Sequence, residues 1–69
     1  MSVYPLKNLK VGTKVEIMIT GSPYKYEAEV IGHDRYSVPR LKVTKGPEGS
    51  IFVGMTLKDG DYIIMAEIK

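Results

Sequence analysis

The chain contains no cysteine, which excludes disulfides, thiolate metal sites, iron–sulfur clusters and cysteine nucleophiles together. It has one histidine, too few for a multi-histidine metal centre, so neither a metal nor a cofactor is expected. No apolar run approaches the roughly 18 residues of a membrane span, and no membrane partner is expected. The start of the chain, Met1-Ser2-Val3-Tyr4-Pro5, lacks the basic and then apolar stretches of a signal peptide, so the expectation is a cytoplasmic protein. Excess charge is scarce as well: 10 Lys and Arg stand against 8 Asp and Glu, a net +2. Hydrophobic residues make up 43% of the chain, which is ordinary for folded proteins and argues against wholesale disorder.

What is present fits one small domain spanning residues 1–69. A domain of this size buries only about 60% of its unfolded surface and is marginally stable alone. With no disulfide to help, it needs an efficient core or a partner, and a homo-oligomer is one expectation.

Alternation of apolar and polar residues predicts strands. Asp59-Gly60 lies between two apolar stretches and suits a two-residue type I′ hairpin turn. Pairing outward from it sets Leu57, Met55, Val53 and Ile51 against Tyr62, Ile64, Ala66 and Ile68 on one face. This predicts a hairpin of residues 51–58 with 61–68 whose core face holds all eight. Phe52, Ile63 and Met65 fall on its opposite face, and the expectation is that residues 1–9 or another chain cover them.

Earlier in the chain, Lys14–Thr20 places Val15, Ile17 and Ile19 on one face, and Tyr24–Ile31 does the same with Tyr26, Ala28 and Val30. Gly21-Ser22-Pro23 is the turn between them, with two- and four-residue loops both compatible with shared faces. A strand from about Tyr36 to Thr44 points Leu41 and Val43 one way and Arg40, Lys42 and Thr44 the other. Pro39 requires that this strand be bent, bulged or at an edge there. Lys45–Ser50 is a loop rich in strand breakers. Five short strands without a convincing helix make an all-β chain, and a five-stranded small barrel is the expected architecture.

Leu9-Lys10-Val11-Gly12-Thr13-Lys14-Val15-Glu16-Ile17 resembles the opening strand of SH3-like small barrels of the Tudor and KOW kind, and Tyr26–Ile31 is similar to the strand that follows in them. The resemblance covers roughly half of the chain. It implies architecture rather than an activity.

No motif names a reaction. Ser22, Ser37 or Ser50 would need His33 as a base, and no nucleophile elbow or oxyanion glycine pattern places one beside it. Glu27 and Glu29 project from one exposed strand face, and Gly46–Ser50 lacks the Gly-Lys-Ser/Thr ending of a phosphate loop. No catalytic residue is assigned, and a non-enzymatic binding module is expected.

Charge is unevenly spread. Residues 1–47 carry eight cations against four anions, and residues 48–69 carry two against four. The densest cationic stretch runs from Arg35 to Lys45 and includes Tyr36. Basic groups that track phosphates beside a ring that stacks on bases are the equipment of single-strand binders. Lys25, Arg35, Tyr36, Arg40, Lys42 and Lys45 are therefore the candidate nucleic-acid-binding residues of a regulatory or accessory factor. An edge strand protected by cations is the ordinary alternative. Phe52, Ile63 and Met65 are the candidate partner-binding residues of the other reading, a protein-interaction or inhibitor module. Tyr4, Tyr24 and Tyr36 offer a third reading, an aromatic cage for a cationic ligand.

Overall fold

The computed structural model describes residues 9–68. It contains five strands, β1 (Lys14–Ile19), β2 (Lys25–His33), β3 (Pro39–Lys45), β4 (Thr56–Leu57) and β5 (Tyr62–Ile68). They form one antiparallel sheet in the order β4-β3-β2-β1-β5. No helix occurs among the described residues, and none is therefore long and apolar enough to cross a membrane.

The alternation explains the three central strands. Val15, Ile17 and Ile19 on β1, Tyr26, Ala28 and Val30 on β2, and Leu41 and Val43 on β3 are all buried. With Leu9, Leu57, Tyr62 and Ile64 they make up the core. Each large apolar side chain buried in this way stabilises the fold by about 1.5–3 kcal/mol. The open register of the first hairpin resolves to Ile17 opposite Tyr26 and Val15 opposite Ala28. Pro39 is buried as the first residue of β3, where its missing donor is tolerated.

Three bulges bend the sheet. Ile31 is the extra residue in β2 and Thr44 in β3 along their shared ladder, and Met65 is extra in β5 against β1. Bulges raise local twist and bend the bulged strand. The curl is large enough to bring the two edge strands together. The turn joining β4 to β5 closes with the Asp61 amide on the Lys58 carbonyl, and such a turn spans under about 7 Å. The edges of a flat five-stranded sheet would lie about 19 Å apart at ordinary strand spacing. Tyr62 at the start of β5 also donates its hydroxyl to the Pro39 carbonyl on β3, although β2 and β1 separate these strands in the sheet. Among the described residues no ladder joins β4 to β5, so the curled sheet is not closed by hydrogen bonds between them.

The expected hairpin of 51–58 with 61–68 does not form. β5 pairs with β1, placing Ile64 against Ile17 and Tyr62 against Ile19. β4 is cut to two residues and pairs with β3. Gly54 at φ +93° breaks the extended backbone, and the Met55 amide closes a turn on the Phe52 carbonyl. Only Gly60 of the Asp59-Gly60 pair has positive φ, whereas a type I′ turn needs both. Thr20 holds that turn from outside, through its amide to the Asp61 carbonyl and its hydroxyl to the Gly60 carbonyl. Of the eight predicted core residues in this region, Leu57, Tyr62 and Ile64 are buried, Ile68 is half-buried, and Ile51, Val53, Met55 and Ala66 are exposed. The expected cover from residues 1–9 lies outside the described residues except for Leu9, which is buried.

Candidate functional site

The loop joining β2 to β3 is organised by one carboxylate. Asp34 Oδ1 accepts the amides of Tyr36 at 2.8 Å and Val38 at 3.0 Å. The Asp34 backbone exchanges further bonds with Val38 and Ser37. Aspartate suits this position because its short side chain reaches amides two residues on. Ser37 is held at φ 66°, a conformation that costs a non-glycine residue roughly 1–2 kcal/mol. The rigid loop presents Arg35 and Tyr36 to solvent, with Tyr36 73% exposed.

Arg40 and Lys42 stand beside this loop on the outer face of β3. Arg40 lies across from Gly32, which offers no side chain, and Lys42 lies across from Glu29. Among the described residues, Arg35, Arg40 and Lys42 make no ion pair; the pair that does form is Lys25 with Glu16 at 3.9 Å. His33 takes no part in this display, because its Nε2–H donates to the Leu9 carbonyl at 2.6 Å.

Lys25 and Lys45 sit elsewhere. They border a shallow depression of about 270 Å³ together with Glu16, Glu27, Tyr26 and Gly46. Lys45 is directly across from Glu27. Two cations and two anions leave this depression neutral. The six nucleic-acid-binding candidates thus separate into Arg35, Tyr36, Arg40 and Lys42 in one group and Lys25 with Lys45 in another.

A second feature lies between the β1–β2 turn and the connection from β3 to β4. Tyr26 ties the two together, with its hydroxyl 3.3 Å from Ser22 Oγ and accepting from Ser50 Oγ at 3.2 Å. Phe52 meets the Tyr26 ring edge-on, with centroids 5.8 Å apart and planes at 83°, a favourable arrangement for two aromatic quadrupoles. Gly46 is required here, because a Cβ would run into the Tyr26 ring. An open groove of about 440 Å³ results, bordered by Tyr24, Tyr26, Phe52, Pro47, Glu48 and Ile51 among others. Tyr24 and Tyr36 stand on different loops, so the tyrosine trio expected for a cage does not assemble, and Tyr4 lies outside the described residues. Tyr24, Tyr26 and Phe52 gather instead. Alternation alone assigns Phe52 to a strand face, and Gly46 with the breakers after it is the sequence signal of a built loop.

Phe52, Ile63 and Met65 do not share a face. Phe52 packs against the core, whereas Ile63 and Met65 remain 54% and 46% exposed on β5. Among the described residues no group of three His, Asp or Glu side chains could hold a metal. Burial raises the Tyr62 hydroxyl from 10.0 to about 12, assisted by the nearby charges of Asp59 and Asp34. It therefore keeps its proton for Pro39 at neutral pH. No protein-family model, curated protein or solved structure matches the chain.

Proposed function

We propose that this chain is a non-enzymatic binding module of SH3-like small-barrel build that associates with single-stranded nucleic acid through Arg35, Tyr36, Arg40 and Lys42. The strand order and the tight turn between the two edge strands support the small-barrel reading. The observation that carries the binding reading is the Asp34-pinned loop, which holds an exposed tyrosine beside three cations without ion-pair partners among the described residues. Exposed aromatic rings gain by stacking on bases, and cations placed alongside neutralise backbone phosphates. A rigid loop lowers the ordering cost of binding.

Fluorescence anisotropy with labelled oligo-dT and oligo-U tests this. Three phosphate contacts predict a slope of log K against log salt of about −2, from roughly −0.7 per phosphate on single strands. Tyr36→Ala should weaken binding by about 1–3 kcal/mol, the usual value of one stacked base. Arg40→Glu with Lys42→Glu should abolish binding while the circular dichroism stays unchanged. Lys25→Glu with Lys45→Glu should have a much smaller effect, since those cations border a separate depression and not the Tyr36 loop. Absence of binding at low salt, or wild-type binding by the Arg40/Lys42 variant, overturns the reading.

A second reading, binding of a protein segment, is favoured by the aromatic groove. Three rings and the Glu48 carboxylate border it, with no cation among its lining residues. That chemistry suits a cationic side chain held by ring faces and a carboxylate. Chemical-shift titration with lysine- and methyl-arginine-containing peptides should move Tyr24, Glu48 and Phe52 signals, and Glu48→Lys should remove the response. Shifts confined to the Tyr36 loop would overturn this reading.

A further inference from the structure

The chain's single histidine, His33, is exposed at the end of β2, next to the Asp34-pinned loop. Its Nε2 lies 2.6 Å from the Leu9 carbonyl. A carbonyl oxygen only accepts, so the ring carries its hydrogen on Nε2, and Nδ1 is the nitrogen left to take up a proton. Among the described residues no hydrogen bond engages Nδ1. In its neutral form the ring is held to Leu9 and adds nothing to the display of the Tyr36 loop. Protonation at Nδ1 adds a charge without breaking that tie, because Nε2 keeps its hydrogen in both forms.

The charged groups around this corner come from four segments. On β3, His33 lies across from Pro39, and the adjoining pair is Gly32 with Arg40. Along the chain Asp34 follows His33 and Arg35 comes next, no more than about 7 Å of backbone away. Lys10 follows Leu9. From β5, Tyr62 reaches the Pro39 carbonyl and stays neutral, with Asp59 and Asp34 near it. The Asp34 carboxylate is engaged by the Tyr36 and Val38 amides. Arg35 and Arg40 therefore stand with their backbones within about one Debye length of His33, roughly 8 Å at physiological salt.

We infer that His33 is a proton-linked cation of the nucleic-acid site: the chain takes up a proton there when it binds a single strand, and binds more tightly as pH falls. The inference rests on the nucleic-acid reading and adds its regulation. In the free chain a charged ring is opposed by Arg35 and Arg40. A bound phosphate backbone offsets their charge and supplies counter-charge to the ring, so the complex holds the extra proton more firmly than the free chain does. Linkage makes the effect reciprocal, and what favours the proton in the complex favours the complex at low pH. Histidine is the side chain whose charge changes between about pH 5 and 8, and this chain has one to sense that range.

Fluorescence anisotropy with labelled oligo-dT at about pH 8 and about pH 5.5 tests this. One further neutralised phosphate steepens the slope of log K against log salt by about 0.7, equal to about fivefold in affinity at about 0.1 M salt. Wild-type affinity should rise by that factor from the higher pH to the lower. In His33→Gln, which keeps an N–H for the Leu9 carbonyl but does not titrate, it should stay level. A second measurement needs no variant. Followed by NMR, the ring titration of His33 should move to higher pH by about 0.7 when oligo-dT is bound, the same factor read from the other side. Equal wild-type affinity at both pH values overturns the inference and leaves the nucleic-acid reading in place. So does a wild-type rise in His33→Gln, or a ring titration that bound oligo-dT does not move. Absence of binding at either pH overturns both.

Discussion

The loops at either end of β3 solve the same problem in opposite ways. Asp34–Val38 is short and polar, and one carboxylate fixes it by accepting two amides. What it exposes, Arg35 and Tyr36, is compatible with water. The connection between Lys45 and Thr56 is longer and largely apolar, and it is anchored from below by the Tyr26 hydroxyl through Ser50. What it exposes, Ile51, Val53 and Met55, is not. An exposed cation or tyrosine needs no cover when no ligand is present, whereas a cluster of exposed aliphatic side chains marks a surface that gains by being covered. The proposed nucleic-acid site therefore falls on the loop whose exposed groups need no cover.

The largest effect that sharpens this contrast comes from two residues of one alternating run. Leu57→Ala should cost about 2–5 kcal/mol, because Leu57 is 4% exposed in the core. That is a large share of the few kcal/mol available to a domain of this size. Ile51→Ala should change stability by less than about 0.5 kcal/mol. Urea denaturation of both variants compares them, and equal losses would mean that Ile51 belongs to the core.

Next is Asp34→Ala. Hydrogen bonds to a charged acceptor are worth about 1.5–3 kcal/mol, and the two amides then turn to water. The loss should lie toward the lower end, since the loop is partly solvated. Nucleic-acid affinity should fall with it, although the substitution also removes a negative charge that opposes binding. A tighter-binding Asp34→Ala variant would show that charge outweighs loop rigidity at this end.

The smallest effect concerns Tyr62, which spans the core from β5 to β3 and belongs to neither loop. Its folded-state ionisation lies near 12, above the ordinary 10.0, so the folded state holds this proton more tightly than the unfolded chain. The stability it contributes is complete below pH 10 and declines as pH rises toward 12. Tyr62→Phe should flatten that alkaline decline in melting temperature and cost about 1 kcal/mol at neutral pH. An unchanged alkaline limb in Tyr62→Phe would assign the decline to other groups.

Much of the fold is legible along the chain, and the exceptions have one cause. The inward sets of β1, β2 and β3 follow from alternation alone, because successive strand side chains point to opposite faces whatever the partner strand. The outward placement of Arg40 and Lys42 follows for the same reason. Alternation does not say which strand a segment pairs with. Residues 51–57 alternate as cleanly as β1, yet Gly54 at positive φ and the Phe52–Met55 turn remove most of them from the sheet. β5 then gains more by joining β1, where Ile64 and Tyr62 meet Ile17 and Ile19 over one core.

The candidate sites divide along the same line. The cationic stretch was visible because its members are close in sequence, but the facing of Lys45 to Glu27 and of Lys25 to Glu16 is a matter of strand register and side-chain reach. The aromatic groove joins residues from two loops that only the curled sheet brings together. By itself the sequence determined an all-β chain, the residues able to share a face and the position of the charge-rich segment, since these depend on backbone geometry and local composition. Only the tertiary structure decided which strands pair, which apolar residues stay in water and which cations group with the exposed tyrosine, because each depends on non-local pairing that buries one set of side chains at the expense of another.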